Sequence, residues 1–319
     1  MKKDTLIYNK CNLCGNSSYD LVWSEGNYKT IKCRKCGLIR LNLEHIREEF
    51  KDIYCEGYFK KWYLKYEKER KDYFRKQLEK IKNVVAELVE DPPKFSWRAL
   101  QKSRVNLTTT KIMNVREIQH YPSRLLDVGC GVGFFLEVAK EQGWDVSGIE
   151  TSQFASAYVR DRLGLDVSAD DLAKADFPDN SFDLITMWDV IAHVTNPGDY
   201  LKKAGKLLKQ DGLLVIKTPE HPLRLFKLAS FISLFTKSKG LLHIPAQIYH
   251  FTPEVLSGIL RRSGFEVLKA ETVKEAIRGD SSAPGLKSFL IFLSTIVLKL
   301  LGINESFIIY AKVSKNCHL

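Results

Sequence analysis

The sequence predicts an α/β chain: a doubly wound, mostly parallel sheet with helices on both faces, preceded by a small metal-held ribbon and a helical cap. Three observations predict it. Leu125-Leu126-Asp127-Val128-Gly129-Cys130-Gly131-Val132-Gly133 sets an apolar run, an acid and alternating glycines ahead of a helix-period stretch, Phe134 to Lys140; this reads as buried strand, tight turn and helix N-terminus. Further strand-like runs recur at Trp144 to Glu150, Phe182 to Trp188 and Lys209 to Pro219, with helical stretches between them, the alternation that builds a parallel sheet. Before all of this, Cys11-x-x-Cys14 and Cys33-x-x-Cys36 stand eighteen residues apart.

The glycine turn reads as a nucleotide cradle. Glycines let the backbone turn sharply and approach a ligand closely, and free N–H groups at a helix start favour electron-rich atoms. The pattern by itself fits any doubly wound nucleotide fold, or a plain turn between strand and helix. The next strand ends in Glu150, where a carboxylate can accept from both hydroxyls of a ribose.

Each cysteine pair is followed by a glycine, Gly15 and Gly37, as a knuckle requires. A two-residue gap turns both sulfurs toward one ion, and two pairs complete a tetrahedral thiolate site with no open position, so the expected zinc is structural. Leu21-Val22-Trp23 and Tyr28-Lys29-Thr30-Ile31 read as short strands of a ribbon over residues 1–43, its metal standing in for a core too small to build. Seven cysteines in a chain whose start, Met1-Lys2-Lys3-Asp4-Thr5, leads into no apolar run favour metal over disulfides and a cytoplasmic setting.

Residues 44–121 follow as a helical cap and a connection. Tyr58, Trp62, Tyr66, Tyr73-Phe74, Leu78, Ile81, Val85 and Leu88 recur at helical spacing, a pattern of helix packing more than of a stacking platform for nucleic acid. Asp91-Pro92-Pro93 ends that helix, and residues 94–121 show no readable role.

The ordered series from Leu125 to Pro219 resembles the class I S-adenosylmethionine-dependent methyltransferases, especially the small-molecule branch with quinone-biosynthesis and sugar enzymes; the resemblance covers about residues 123–272. It implies a seven-stranded, mostly parallel Rossmann-like sheet over 122–319, closed by the antiparallel strand Ser306 to Val313. It also implies that Asp127, Gly129, Gly131 and Gly133 hold the amino-acid part of the cofactor, Glu150 its ribose, Asp171 and Leu172 its adenine (Asp170 being the register alternative), and Trp188 and Asp189 its methionine end. Tyr58-Phe59 would begin a cap over the cofactor, and a comparable cysteine ribbon precedes some bacterial sugar methyltransferases. Many relatives carry Glu-His where this chain has Ala192-His193, so no catalytic metal is expected.

His193 ends the strand region where a histidine can serve as general base or position the acceptor; it can equally be a packing residue. Tyr249-His250-Phe251-Thr252-Pro253 resembles the family's turn into the next helix, with Thr252 as N-cap and Ser263-Gly264 as its end; His250 is the second base candidate.

Two apolar insertions, 220–250 and 281–303, interrupt the pattern. In 223–239, Leu225, Leu228, Ala229, Ile232 and Phe235 share a helical face among Arg224, Lys227, Lys237 and Lys239, which suits a membrane interface or a lid. In 286–301 only eleven uncharged residues separate Lys287 from Lys299, too few to span a bilayer, so surface docking, packing or an oligomer contact is expected there.

The composition, 45% hydrophobic and 27% charged, is that of a globular protein, and the net charge of +11 admits acidic partners, anionic lipid included, or simply a solubilising surface. The reading is therefore a methyltransferase acting on a small-molecule, glycan or lipid-linked hydroxyl, with S-adenosylmethionine and structural zinc, cytoplasmic and able to meet a membrane surface, and without nucleic acid as a partner. Its rivals are a non-catalytic binding module on the same fold and an NAD-dependent dehydrogenase; the latter leaves the later strands unexplained.

Overall fold

A computed structural model describes residues 10–42, 53–90, 124–234, 237, 242–273 and 306–314. Strands β4 (Arg124–Val128), β5 (Asp145–Ile149), β6 (Val167–Ser168), β7 (Phe182–Trp188), β8 (Leu208–Pro219), β10 (Phe265–Val273) and β11 (Ser306–Val313) form one sheet in the order β10-β11-β8-β7-β4-β5-β6. β11 alone runs against the direction shared by the other six strands. This is the predicted seven-stranded sheet, with the last strand inserted where expected.

Its strands are near-continuous apolar runs because both faces are covered. Leu125, Leu184, Val215 and Ile308 point into one core layer, with helix α3 (Phe134–Glu141) and the long α2 (Glu67–Glu90); Leu126, Ile185, Leu214 and Ile309 point into the other, with α5 (Pro197–Leu207) and α7 (Pro253–Arg262). Neighbouring residues on each strand thus serve opposite layers, the two-residue period of a strand. On α2, Leu78, Ile81 and Val84 are buried, each worth about 1.5–3 kcal/mol. Lys71 bridges Glu67 and Glu137 at 2.7 Å each, tying α2 to α3. A shorter helix, α1 (Glu56–Trp62), precedes α2 through a single 3-10 turn at Leu64–Tyr66.

The caps follow the sequence. Ser152 accepts from Ala155 N at the start of α4 (Gln153–Tyr158), which runs on as a π turn to Leu163 and stops at left-handed Gly164. Thr252 accepts from Val255 N at the start of α7, with Pro253 at its first position.

Strands β1 (Tyr19–Glu25), β2 (Tyr28–Cys33) and β3 (Ile39–Leu41) form the ribbon, and a fourth strand, β9 (Tyr249–His250), joins it from the far part of the chain. Sequence periodicity shows β1 and β2 but neither β3 nor β9, since two- and three-residue strands carry no period. Helix α6 (Leu223–Ile232) packs on β1, and its Leu225, Phe226 and Ala229 are buried against Trp23, Ile39 and Leu41. The face expected at a membrane is therefore partly a ribbon-packing face. Residues 94–121, the insertion 281–303 with its segment 286–301, and Phe235 and Lys239 lie outside the described residues.

Candidate active site

A cavity of about 340 Å³ opens at the C-terminal ends of β4, β7 and β8. The chain moves outward from β4 to β5 and β6, then crosses back to β7 on the other side of β4; this reversal leaves a crevice, the place where open α/β sheets bind ligands.

One wall is the glycine turn. Gly129 has φ +70° and an added Cβ would lie 2.5 Å from Val190 Cγ2; Gly133 has φ +82° and an added Cβ would lie 2.9 Å from Val159 Cγ2. Both positions require glycine twice over, by backbone angle and by space. Gly129 N and Cys130 N donate to Ile149 O, and Gly131 N donates to Glu150 Oε2 at 2.9 Å, while Ser152 N donates to Glu150 Oε1 at 2.7 Å. Glu150 thus braces the turn from behind and keeps further acceptor capacity; burial pushes its carboxyl above the usual range.

Asp127, 1% exposed, lines the cavity and accepts from Thr186 Oγ1 at 2.6 Å. Burial pushes its pKa up to about 8, against the lowering effect of the threonine bond. Trp188 and Asp189 line the cavity from the end of β7. Trp188 packs on Phe135 and Phe74, bringing α2 into the wall, and its Nε1 is buried without a protein partner. Asp189 sits at φ +59°, accepts from Lys217 Nζ at 2.6 Å, and keeps Oδ1 buried without a partner.

The opposite wall holds His193. Its Nδ1 lies 2.6 Å from Ala246 O and 3.1 Å from Tyr54 Oη. A carbonyl only accepts, so Nδ1 carries the proton and Nε2 the lone pair. Burial lowers its pKa, leaving the ring neutral at pH 7. Tyr54 cannot donate to a nitrogen that is already protonated, so its hydroxyl proton is available to a ligand. Tyr54 O in turn accepts from Ser152 Oγ at 3.0 Å, pinning this tyrosine against the start of α4.

Among the expected site residues, Asp127, Gly129, Trp188, Asp189 and His193 share this cavity, and Gly131, Gly133 and Glu150 build the turn behind it. The others lie elsewhere. Leu172 is a core residue and Asp171 accepts from Tyr200 Oη at 2.5 Å and from Ala173 N, outside the cavity wall. His250 is 1% exposed on β9, packed against His221 and Phe226 with neither ring nitrogen bonded; burial, with repulsion from His243 and His193, takes its pKa down to about 3. It is not part of the cavity wall. Tyr58 and Tyr63 do line it, and Phe59 packs on Val132 and Phe134. Sequence reading missed Lys217, Tyr54 and Gln247. A lysine inside the apolar strand Leu213 to Pro219 was the visible signal for the first; the other two are reached only through the fold.

The thiols of Cys11, Cys14, Cys33 and Cys36 lie within 4.8 Å of one another, with Cys11–Cys36 at 3.6 Å and Cys14–Cys33 at 3.5 Å. Zinc–sulfur bonds of about 2.3 Å in a tetrahedron separate sulfurs by about 3.8 Å, so the four thiols fit a single ion. The Cys36 thiol beside Cys11 holds the Cys11 thiol below the usual range.

The chain belongs to the methyltransferase domain family, whose model matches residues 97–270. It is similar to the ubiquinone biosynthesis O-methyltransferase of Bradyrhizobium diazoefficiens, 32% identical over 111 residues that are 33% of this chain and 44% of that protein. It is also similar to the ubiquinone biosynthesis O-methyltransferase of Azorhizobium caulinodans, 26% identical over 171 residues, 49% of this chain and 64% of that one. The chain thus spans less than two thirds of the length of these curated relatives. Among solved structures, a SAM dependent methyltransferase from Archaeoglobus fulgidus matches with a TM-score of 0.43 and 25% identity, over 59% of this chain and 85% of that one.

Proposed function

We propose that this chain transfers a methyl group from S-adenosylmethionine to a hydroxyl of a small-molecule, glycan or lipid-linked acceptor. The observation that carries this reading is His193: a neutral imidazole whose Nδ1–H is fixed by Ala246 O, in the same cavity as Asp127 and the glycine turn. The family membership supports the reaction class, and the relatives' O-methyltransferase names favour oxygen as the acceptor atom.

When bound, the cofactor supplies a methyl group already activated on a sulfonium. The chain's work is to hold donor and acceptor in line, where proximity accounts for much of the rate. Asp127 with Gly129, Gly131 and Gly133 would hold the amino-acid end and Glu150 the ribose. The orphaned Asp189 Oδ1 and Trp188 Nε1 offer an acceptor and a donor at the methionine end. His193 Nε2 takes the hydroxyl proton as the oxygen attacks. Zinc on Cys11, Cys14, Cys33 and Cys36 would hold the ribbon, all four positions being filled by thiolates.

Incubating the full-length protein with methyl-labelled S-adenosylmethionine and a panel of catechols, glycosides and long-chain quinols tests this. His193→Ala should cut transfer by about 10²–10⁴-fold while leaving S-adenosylhomocysteine binding in place. Binding that is intact with no transfer to any acceptor would favour the non-catalytic module, and undiminished transfer by the variant would remove His193 from the role.

A membrane contact has a specific observation in its favour. Arg224 and Lys227 are exposed on α6, as are Phe231 near its end and Leu234 in the turn just beyond it, 62% and 74% exposed, two cations followed by two large apolar groups as at a lipid interface. No helix among the described residues is long and apolar enough to cross a membrane. Vesicles of anionic lipid should carry the protein in flotation, and Phe231→Ser with Leu234→Ser should leave it at the bottom; flotation undiminished by the pair would clear this stripe of the contact.

A further inference from the structure

The cysteine ribbon and the histidine wall of the cavity are one connected structure. Asn12 lies inside the first knuckle, between Cys11 and Cys14, and its Nδ2 donates to Tyr249 Oη at 2.5 Å. Tyr249 Oη donates onward to Thr195 O at 2.9 Å, and the side chain is 1% exposed. The second knuckle leads into β3, where Arg40 pairs with Tyr249, Ile39 pairs with His250, and Leu41 N donates to Ile248 O at 2.8 Å. The ribbon therefore grips the segment 246–250 by side chain and by main chain.

That segment holds His193. Ile248 N and Tyr249 N both donate to Ala192 O, at 2.9 and 3.0 Å, fixing the main chain next to the histidine, while Ala246 O takes the Nδ1 proton and fixes the ring. The cofactor side is braced differently: the bonds of Gly129, Cys130 and Gly131 run to Ile149 and Glu150, on the neighbouring strand and its end. A three-residue strand has little hold of its own, so the β3–β9 pairing depends on the ribbon, and the ribbon on its metal.

We propose that Asn12 and Tyr249 are positioning residues that tie the four-cysteine site to His193, so that metal in the ribbon sets the orientation of the imidazole while the cofactor half of the cavity stands without it. This rests on reading His193 as the base, but its test needs no acceptor and no turnover.

The full-length protein, histidine-labelled with ¹⁵N, is loaded with Zn²⁺, stripped by a chelator under reducing conditions, and reloaded. His193 should show the Nδ1–H tautomer when loaded, lose that signature when stripped, and regain it with Zn²⁺. Amide exchange at Leu41, Ile248 and Tyr249 should rise by about tenfold or more on stripping, while Gly129, Gly131 and strands β4 and β5 stay protected. S-adenosylhomocysteine affinity should hold within about threefold. Tyr249→Phe keeps the ring and removes the hydroxyl bridge; it should retain Zn²⁺ yet move the His193 signature in the same direction as stripping.

An unchanged imidazole signature after stripping would overturn the proposal. So would loss of β4 and β5 protection together with the ribbon, which would make the metal a requirement of the whole fold. A Tyr249→Phe protein with an unmoved His193 would remove the relay through this residue. Loss of methyl transfer to every acceptor, with the coupled exchange intact, would count against the catalytic reading alone.

Discussion

Binding of S-adenosylhomocysteine at pH 7 should release close to one proton, and Asp127 should be its source. With a pKa of about 8, Asp127 is about nine-tenths protonated at pH 7. A ligand ammonium about 4 Å away contributes about 4 kcal/mol at an effective dielectric near 20. Each pKa unit is about 1.4 kcal/mol, so that cation moves the carboxyl down by about three units, well below pH 7. The assay is calorimetry at pH 7 in buffers of differing ionisation enthalpy: the slope of observed against buffer enthalpy gives about 0.9 proton released. Asp127→Asn cannot lose that proton and should bring the slope near zero while weakening binding. Wild-type binding without proton release, or the same release from Asp127→Asn, would refute an ammonium placed against this carboxyl.

Other outcomes follow from the same geometry. Gly133→Ala forces a left-handed residue and sets a Cβ 2.9 Å from Val159, so a loss of about 2 kcal/mol or more is expected in urea unfolding; a loss under about 0.5 kcal/mol would mean the turn relaxes. Thr252→Ala removes the N-cap bond to Val255 N and should cost about 1 kcal/mol, with Thr252→Ser restoring most of it. His250 is neutral in the fold, with a pKa of about 3, and takes a proton near 6.5 when unfolded. The unfolded state therefore binds more protons between those values, and stability falls as pH drops through 6.5, by about 2 kcal/mol at pH 5 from this residue. His250→Gln should flatten that acid limb by this amount in urea titrations.

The sheet was legible because its strands are long apolar runs bounded by glycine and acid, and because their order reproduces a known series. That Asp127, Gly129 and Glu150 meet at one turn was legible for the same reason: a local strand–turn–helix motif fixes its own geometry within a few residues. The four-thiol cluster was legible because two-residue spacing is itself the geometry of a knuckle. Tyr54, Gln247 and Lys217 were not read, because each enters the cavity from a different part of the chain and its role depends on the partner it meets. Tyr54 belongs to the aromatic run before α1, yet its hydroxyl lies beside His193, 139 residues away. His250 shows the converse: its motif resembles that of the family's acceptor side, but its strand is enlisted by the ribbon, and the ring lies among His221 and Phe226.

Asp189 joins the two halves of the cavity. Its φ of +59° is one that non-glycine residues rarely hold, and two bonds to a single partner keep it there: Asp189 N donates to Lys217 O and Lys217 Nζ donates to Asp189 Oδ2. Strain of about 1–3 kcal/mol persists only where the surroundings impose it, and here adjoining strands β7 and β8 impose it at the switch point. The result leaves Oδ1 buried and unbonded in a wall shared with Asp127 on one side and His193 on the other. Lys217 is 6% exposed in an apolar strand, where a buried ammonium is stabilised by pairing with a carboxylate such as Asp189. On the proposed reading the pair serves the cavity, since an acceptor atom held rigidly between Asp127 and His193 would suit alignment for an in-line transfer.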